Sequence, residues 1–323
     1  MDISFVIIGK NEAFNIKRCI TSIKSLDINY KYEIIYIDSN SSDDSKSIAK
    51  DIDDIRFLVV KSNFYSAGLS RNIGASLANG KYIFFLDGDM EIQIDSDINF
   101  IIEYMQKNRN CKIVSGKLNE IIYGTNNEVL YELPDRYFVE NEIEELNEPG
   151  GIFIVDKCIF EEVGGFNPII RCNEELQLYS MIKLKYNMIR TNKLTCIHHD
   201  RKNEHANGKI FINRFKDKYF TGCWLTLMEC LKKGAIKEYF SFKYSKEIWI
   251  KNIVCFSSII LFILGILNRS IIYVIQFIII LTLFIIKERS FLQGFYKYRE
   301  YILRFISFIF INKLEIDYEV TEE

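Results

Sequence analysis

Gly80-Lys81-Tyr82-Ile83-Phe84-Phe85-Leu86-Asp87-Gly88-Asp89 decides how this chain is read. Tyr82–Leu86 is an apolar run of strand length. It lacks the alternation of a strand with one wet face, and so predicts a buried strand. Asp87 and Asp89 stand one residue apart at its end. In an open α/β sheet, ligands bind at the carboxyl edge of the strands. Hard oxygen donors at that edge suit a Mg²⁺ or Mn²⁺ that takes its other ligands from a diphosphate and water. A solvated acidic turn would have the same sequence, so the neighbouring segments carry the decision.

Upstream, strands and helices alternate. Ile3–Ile8, Tyr32–Ile37 and Ile55–Val60 read as strands. Ala13–Lys24, Asp43–Lys50 and Leu69–Ala78 read as helices, the last with Gly80 as its C′ residue. This order predicts βαβ units and a mostly parallel sheet, an α/β fold. No Gly-x-Gly-x-x-Gly and no Walker loop follows a strand, which disfavours a dinucleotide enzyme or a P-loop ATPase.

Composition narrows the class. With 323 residues the chain has room for one large domain plus appendages, and its net charge of -2 gives no case for nucleic acid. The eight Cys are scattered with no Cys-x-x-Cys pair, which fits a reducing compartment rather than a structural zinc site. The first residues lack the basic start and long apolar core of a signal peptide.

Beyond residue 110 the pattern is mixed. Cys111–Ser115 and Ile152–Val155 read as strands, Glu140–Glu148 as an exposed acidic loop, and Asn173–Lys185 as a helix. After residue 210 the character changes. Two uncharged stretches, Asn252–Asn268 and Ser270–Ile286, flank Arg269 and read as a membrane-inserted hairpin, each a little short of the roughly 20 residues of a full span. Trp249 and Tyr273 are aromatics near the segment ends. Lys243, Lys246 and Lys251 precede the hairpin, and Lys287, Arg289, Lys297 and Arg299 follow it. The positive-inside rule therefore puts both ends, and the large domain, on the cytoplasmic face of the cell membrane. Phe291–Ile309 has apolar residues at helical spacing, which suits an interfacial helix or an ordinary amphipathic helix packed on protein. The expected organisation is a catalytic domain over 1–205, a helical connector over 206–250, the hairpin over 251–287, and a helix with an acidic tail over 288–323.

The first 200 residues resemble a family 2 glycosyltransferase with the GT-A fold. Val6-Ile7-Ile8-Gly9-Lys10-Asn11-Glu12 resembles the opening strand and its Asn-Glu signature, with Ile8-Gly9-Lys10 in place of the usual Pro-Thr-Tyr. Asp38-Ser39-Asn40-Ser41-Ser42-Asp43 resembles the acidic turn after strand two. Arg71-Asn72-Ile73-Gly74, the segment ending at Asp89, Gly164-Gly165-Phe166 and Asn173-Glu174-Glu175-Leu176 follow in the family's order. Glu175 stands where that family more often has Asp.

The resemblance implies roles. Asp89 is the first choice as metal ligand, with Asp87 assisting through the metal or the ribose and Gly88 between them. Asp38 is implied as the acceptor of a base N–H, which suits uracil and hence a UDP-sugar. Ile8, Gly9 and Glu12 line the same edge. Glu12 reaches ribose or merely favours the following helix. Arg71 touches the diphosphate or pairs with an acid to hold the site in shape. Glu175 is the implied general base of an inverting transfer, with Glu174 and Gly151 on the acceptor side. Among His198, His199 and His205, His198 is the best placed as a metal ligand.

The expected function is inverting, Mn²⁺- or Mg²⁺-dependent transfer of a sugar from a nucleotide-sugar to a glycan or lipid-linked acceptor at the membrane. A processive polysaccharide synthase is disfavoured because no Gln-x-x-Arg-Trp is present. A non-catalytic nucleotide-sugar binder is disfavoured by the acids at 87, 89 and 175.

Overall fold

The computed structural model describes residues 1–201, 214, 218–288, 291–311 and 315–323. They fall into two units. Met1–Ile169, Glu174–Lys202 and Leu314–Glu323 make the first, and Ile170–Asn173 with Asn203–Lys313 the second. His205 and the start of the expected connector lie outside the described residues.

The first unit opens as anticipated: β1 (Ile3–Gly9), α1 (Ile16–Lys24), β2 (Tyr32–Asp38), α2 (Ser45–Lys50), β3 (Arg56–Ser62), α3 (Ala67–Leu77) and β4 (Tyr82–Asp87). β1 pairs in parallel with β2 on one side and β4 on the other. Phe5, Ile7, Tyr36, Phe84 and Leu86 join Ile16, Ile20 and Ile23 of α1 in one buried cluster. Both faces of these strands are covered, and this explains their unbroken apolar runs. Gly80 does not cap α3. The helix stops at Leu77 with Ala78 extended, and Gly80 N donates to Ser4 Oγ at 2.8 Å. A methyl group on Gly80 would meet Ser4 N at 2.5 Å, so close packing demands the glycine.

The chain continues with β5 (Met90–Ile92), α4 (Ile98–Lys107), β6 (Cys111–Tyr123), β7 (Val129–Tyr137), β8 (Ile143–Glu145), β9 (Phe153–Asp156), α5 (Lys157–Glu162), α6 (Glu174–Lys183) and β10 (Asn187–Arg201). The sheet runs β11-β3-β2-β1-β4-β9-β6-β10-β5, where β11 is Tyr318–Glu322. Parallel pairing holds among β1–β4 and between β6 and β10. β9 pairs antiparallel with β4 and β6, so the sheet is mixed. Two segments differ from expectation. The acidic loop contains the short strand β8, paired with β10. The end of the acidic tail is a strand, antiparallel to β3 and fastened by Arg56–Glu322 at 3.0 Å.

The second unit is helical among its described residues. Lys243–Leu267 and Ile271–Glu288 are long and apolar enough to cross a membrane, with a turn at Asn268–Ser270 between them. The second of these helices has no buried residue. Phe291–Ile306 packs on the hairpin, with Tyr298 buried and its ring 5.8 Å from that of Phe284. Trp249, expected near an interface, is instead buried. It stands edge-on to Trp224 at 4.7 Å and donates to Tyr239 Oη at 2.7 Å.

Candidate active site

Strand register assembles the site. β1 lies centrally, with Gly9 opposite Asp38 and Ile8 opposite Asp87. Ser39 N donates to Gly9 O and Gly88 N to Ile8 O, each at 2.8 Å, so the turns carrying Asp38 and Asp89 are both fastened to the end of β1. A carbon added at Gly9 would stand 2.8 Å from Tyr36 Oη, and one at Gly88 3.1 Å from Glu12 Cγ. Gly9 therefore makes room for Tyr36, and Glu12 lies across both glycines. Burial, then the charges of Asp89 and Asp87, push the Glu12 carboxyl up to about 8.

Asp38 does internal work. It is fully buried, and its carboxylate accepts from Ser41 N at 2.7 Å, from Ser41 Oγ and from Tyr36 Oη at 3.3 Å. This is an Asx turn that fixes the loop after β2.

Arg71, on α3, joins three acids. Its Nη2 donates to Asp87 Oδ1 at 2.9 Å, and its Nη1 to Glu175 Oε1 at 2.9 Å and Glu174 Oε1 at 3.1 Å. Its side chain is 1% exposed. Burial opposes the guanidinium charge, but the three carboxylates outweigh it and keep the arginine charged. Of the two roles open to it in the sequence, holding the acids together is the one the contacts display. Glu174, buried and beside Glu175, is pushed up to about 8. A carbon added at Gly151 would lie 3.4 Å from both Arg71 Nη2 and Asp87 Oδ2, and 3.5 Å from Glu175 Oε1. The glycine thus borders the same cluster.

On the other side of Gly88, His198 Nε2 lies 3.0 Å from Asp89 Oδ2. The second oxygen, Asp89 Oδ1, is buried with no hydrogen-bond partner among the described residues. Burial opposes a charge on the His198 ring, but the hydrogen bond and charge of Asp89 outweigh it and make the ring more basic than usual. His199 is separate. It is buried, its Nδ1 meets Tyr123 Oη at 2.9 Å and its Nε2 meets Glu91 Oε2 at 2.7 Å. Burial and then Arg18 lower its basicity. Among the described residues no group of three or more acids, His or Cys forms a complete cation site. Asp89 and His198 fit a cation that shares its coordination with a diphosphate: one orphaned carboxylate oxygen and one imidazole are present, and such an ion needs few protein ligands. Sequence reasoning missed Glu120 of β6, whose Oε1 lies 3.1 Å from His198 Nδ1. Only the pairing of β6 with β10 brings it there, and no local motif marks it.

Residues 4–162 match the profile of Glycosyl transferase family 2. The chain carries a family 2 glycosyltransferase domain. The fold agrees. TarS 1-349 of S. aureus, solved with UDP-GlcNAc, superposes with a TM-score of 0.56 at 13% identity, covering 74% of this chain and 72% of that one. GalNAc-T7, solved with UDP, GalNAc and Mn²⁺, gives 0.55 at 15% identity over 76% and 56%. Among characterised proteins, the UDP-Glc:alpha-D-GlcNAc-diphosphoundecaprenol beta-1,3-glucosyltransferase WfaP of Escherichia coli is 35% identical over 31% of this chain and 42% of its own length. The glycosyltransferase AglE of Haloferax volcanii is 31% identical over 27% and 30%. The chain spans less than half the length of the curated relatives it matches.

Proposed function

We propose that this protein is an inverting, metal-dependent glycosyltransferase. It moves a sugar from a nucleotide-sugar, a UDP-sugar by preference, to a glycan or lipid-linked acceptor on the cytoplasmic face of a membrane. One observation carries the reading: a single buried arginine, Arg71, holds Asp87 of the metal segment and the candidate base Glu175 each within one hydrogen bond. Donor and acceptor chemistry would then share one rigid frame.

Asp89 and His198 would hold Mn²⁺ or Mg²⁺, with Asp87 beside them. When bound, the ion supplies positive charge to the departing diphosphate. Ile8, Gly9, Glu12, Asp38 and Gly88 form the edge on which the nucleotide would lie. Asp38 shapes this edge through its turn, and the base N–H would use its remaining lone pairs. Glu175 keeps one oxygen on Arg71, and its other would take the proton of the acceptor hydroxyl as that oxygen attacks the anomeric carbon. Glu174 and Gly151 would border the acceptor.

Two things support membrane placement. The helix Ile271–Glu288 combines mean hydropathy 2.2 with no buried residue, a surface that water tolerates poorly. The name of WfaP describes a lipid-linked acceptor. The test is UDP release by the full-length protein in membranes with Mn²⁺, across a panel of UDP-sugars, for wild type and Asp89→Asn. Release from one donor, lost in the variant, supports the reading and names the sugar. Release that survives in Asp89→Asn sinks the metal role. No release from any donor, even with lipid-linked acceptors present, sinks the UDP-sugar assignment.

A further inference from the structure

We infer that Glu120 is a positioning residue for the cation. It holds His198 so that Nε2 faces Asp89 and the metal. The inference rests on the metal role proposed above and goes one residue beyond it. Three strands meet here: His198 of β10 is registered opposite Met90 of β5 and opposite Glu120 of β6. The imidazole is therefore clamped between two carboxylates, with Nδ1 3.1 Å from Glu120 Oε1 and Nε2 3.0 Å from Asp89 Oδ2. A ring whose Nδ1–H donates to a carboxylate presents Nε2 as its ligand atom, with fixed orientation and raised basicity. The Glu120 side chain is 11% exposed, so it cannot swing freely into water. Arg136 of β7 also pairs with Glu120 Oε1, neutralising it from the other side and tying the β6–β7 hairpin to the metal ligand. A plain Glu120–Arg136 ion pair is the competing account, and it gives no reason for the imidazole to lie between the two acids.

The test reads cation affinity. Mn²⁺ would be titrated into the full chain, purified in detergent with saturating UDP, and free Mn²⁺ followed by electron paramagnetic resonance. Wild type, Glu120→Ala, Glu120→Gln, Asp89→Asn and Glu91→Gln would be compared, with melting temperatures and with UDP affinity at saturating Mn²⁺. The expected result is a roughly 10–100-fold weaker Mn²⁺ affinity in Glu120→Ala, as is usual for carboxylates that orient a ligating histidine. Glu120→Gln should lose less, because its amide oxygen still accepts from Nδ1–H without the charge. Glu91→Gln, which faces His199, should bind as wild type does. UDP affinity at saturating Mn²⁺ should not move. If Glu120→Ala does not fold, the size-matched Glu120→Gln decides, with a loss of severalfold expected. Mn²⁺ affinity within twofold of wild type in the Glu120 variants, with Asp89→Asn impaired, overturns this inference alone. Equal loss of Mn²⁺ and UDP affinity with a lowered melting point also overturns it, in favour of a structural ion pair. Wild type that binds no Mn²⁺ removes both the metal role and the inference.

Discussion

Arg71 Nη2 donates to Asp87 Oδ1 across 2.9 Å, and the arginine that makes this bond is closed to solvent. The same guanidinium reaches Glu174 and Glu175, so its planar fork sets the spacing of three acids. Lysine keeps the charge and loses the fork. Arg71→Lys should fold with reduced stability and lose turnover by about 10²-fold, the scale of an ångström-sized misplacement of reacting groups. Arg71→Ala leaves buried acids unpaired and should cost about 3–5 kcal/mol of stability. Kinetics of UDP release and thermal melting check both. Full turnover in Arg71→Lys would show that point charge alone suffices.

Glu175 and Glu174 share Arg71 but differ in exposure, 18% against 9% for their side chains. The more open of the two, Glu175, is the candidate to take the proton of an acceptor hydroxyl. Glu175→Gln should lower kcat by about 10²–10⁴-fold, the usual contribution of a general base, with donor affinity retained. Glu174→Gln should fall much less. A reversed ranking would move the base to Glu174.

Burial and the neighbouring Glu175 charge raise the Glu174 carboxyl from 4.5 to about 8. An acid whose pKa rises on folding holds its proton better in the folded state. Its contribution to stability is therefore full below about pH 4.5 and is lost as pH climbs through 8. The melting temperature of the protein should fall between pH 6 and pH 9. Glu174→Gln cannot ionise and should flatten part of that decline, with Glu12, also raised to about 8, and Asp87, raised by burial, contributing to what is left. An unchanged slope in the variant would mean that Glu174 is already ionised at pH 6.

Asp38→Asn tests whether the acid after β2 belongs first to its own turn. The native carboxylate accepts from Ser41 N, Ser41 Oγ and Tyr36 Oη, and an amide nitrogen would face one of these donors. The variant should lose about 1–3 kcal/mol without any nucleotide present, the cost of a buried polar mismatch. Normal stability with weakened UDP binding would assign Asp38 to the base alone.

The sequence reveals what is local. β1 to β4 are legible because strands covered on both faces are written as unbroken apolar runs, and Asp87, Asp89, Arg71 and Glu175 because each stands in a short segment that resembles a family motif, in the family's order. α4 also carries a local signal: Asp97 caps Phe100 N at 2.8 Å ahead of Ile98, Ile101, Ile102 and Met105 at helical spacing. Three features are non-local. Glu120 needs the β6–β10 register, the role of Gly80 needs the backbone of Ser4, and Trp249 needs Trp224. No periodicity encodes these meetings. Asp38 is a fourth kind of case, because a base contact and an Asx turn use the same letter.

β11 has a consequence for synthesis. Ser62 Oγ, at the end of β3, donates to Asp317 O across 255 positions of sequence. A ribosome adding ~5–20 residues per second needs roughly 10–50 s to cover that interval. Throughout it the outer edge of β3 has no partner, and the apolar hairpin emerges before the edge is closed. An unpaired strand edge beside newly exposed apolar helices invites misassociation. The nascent chain would therefore gain from delivery of the hairpin to a bilayer while translation is still under way.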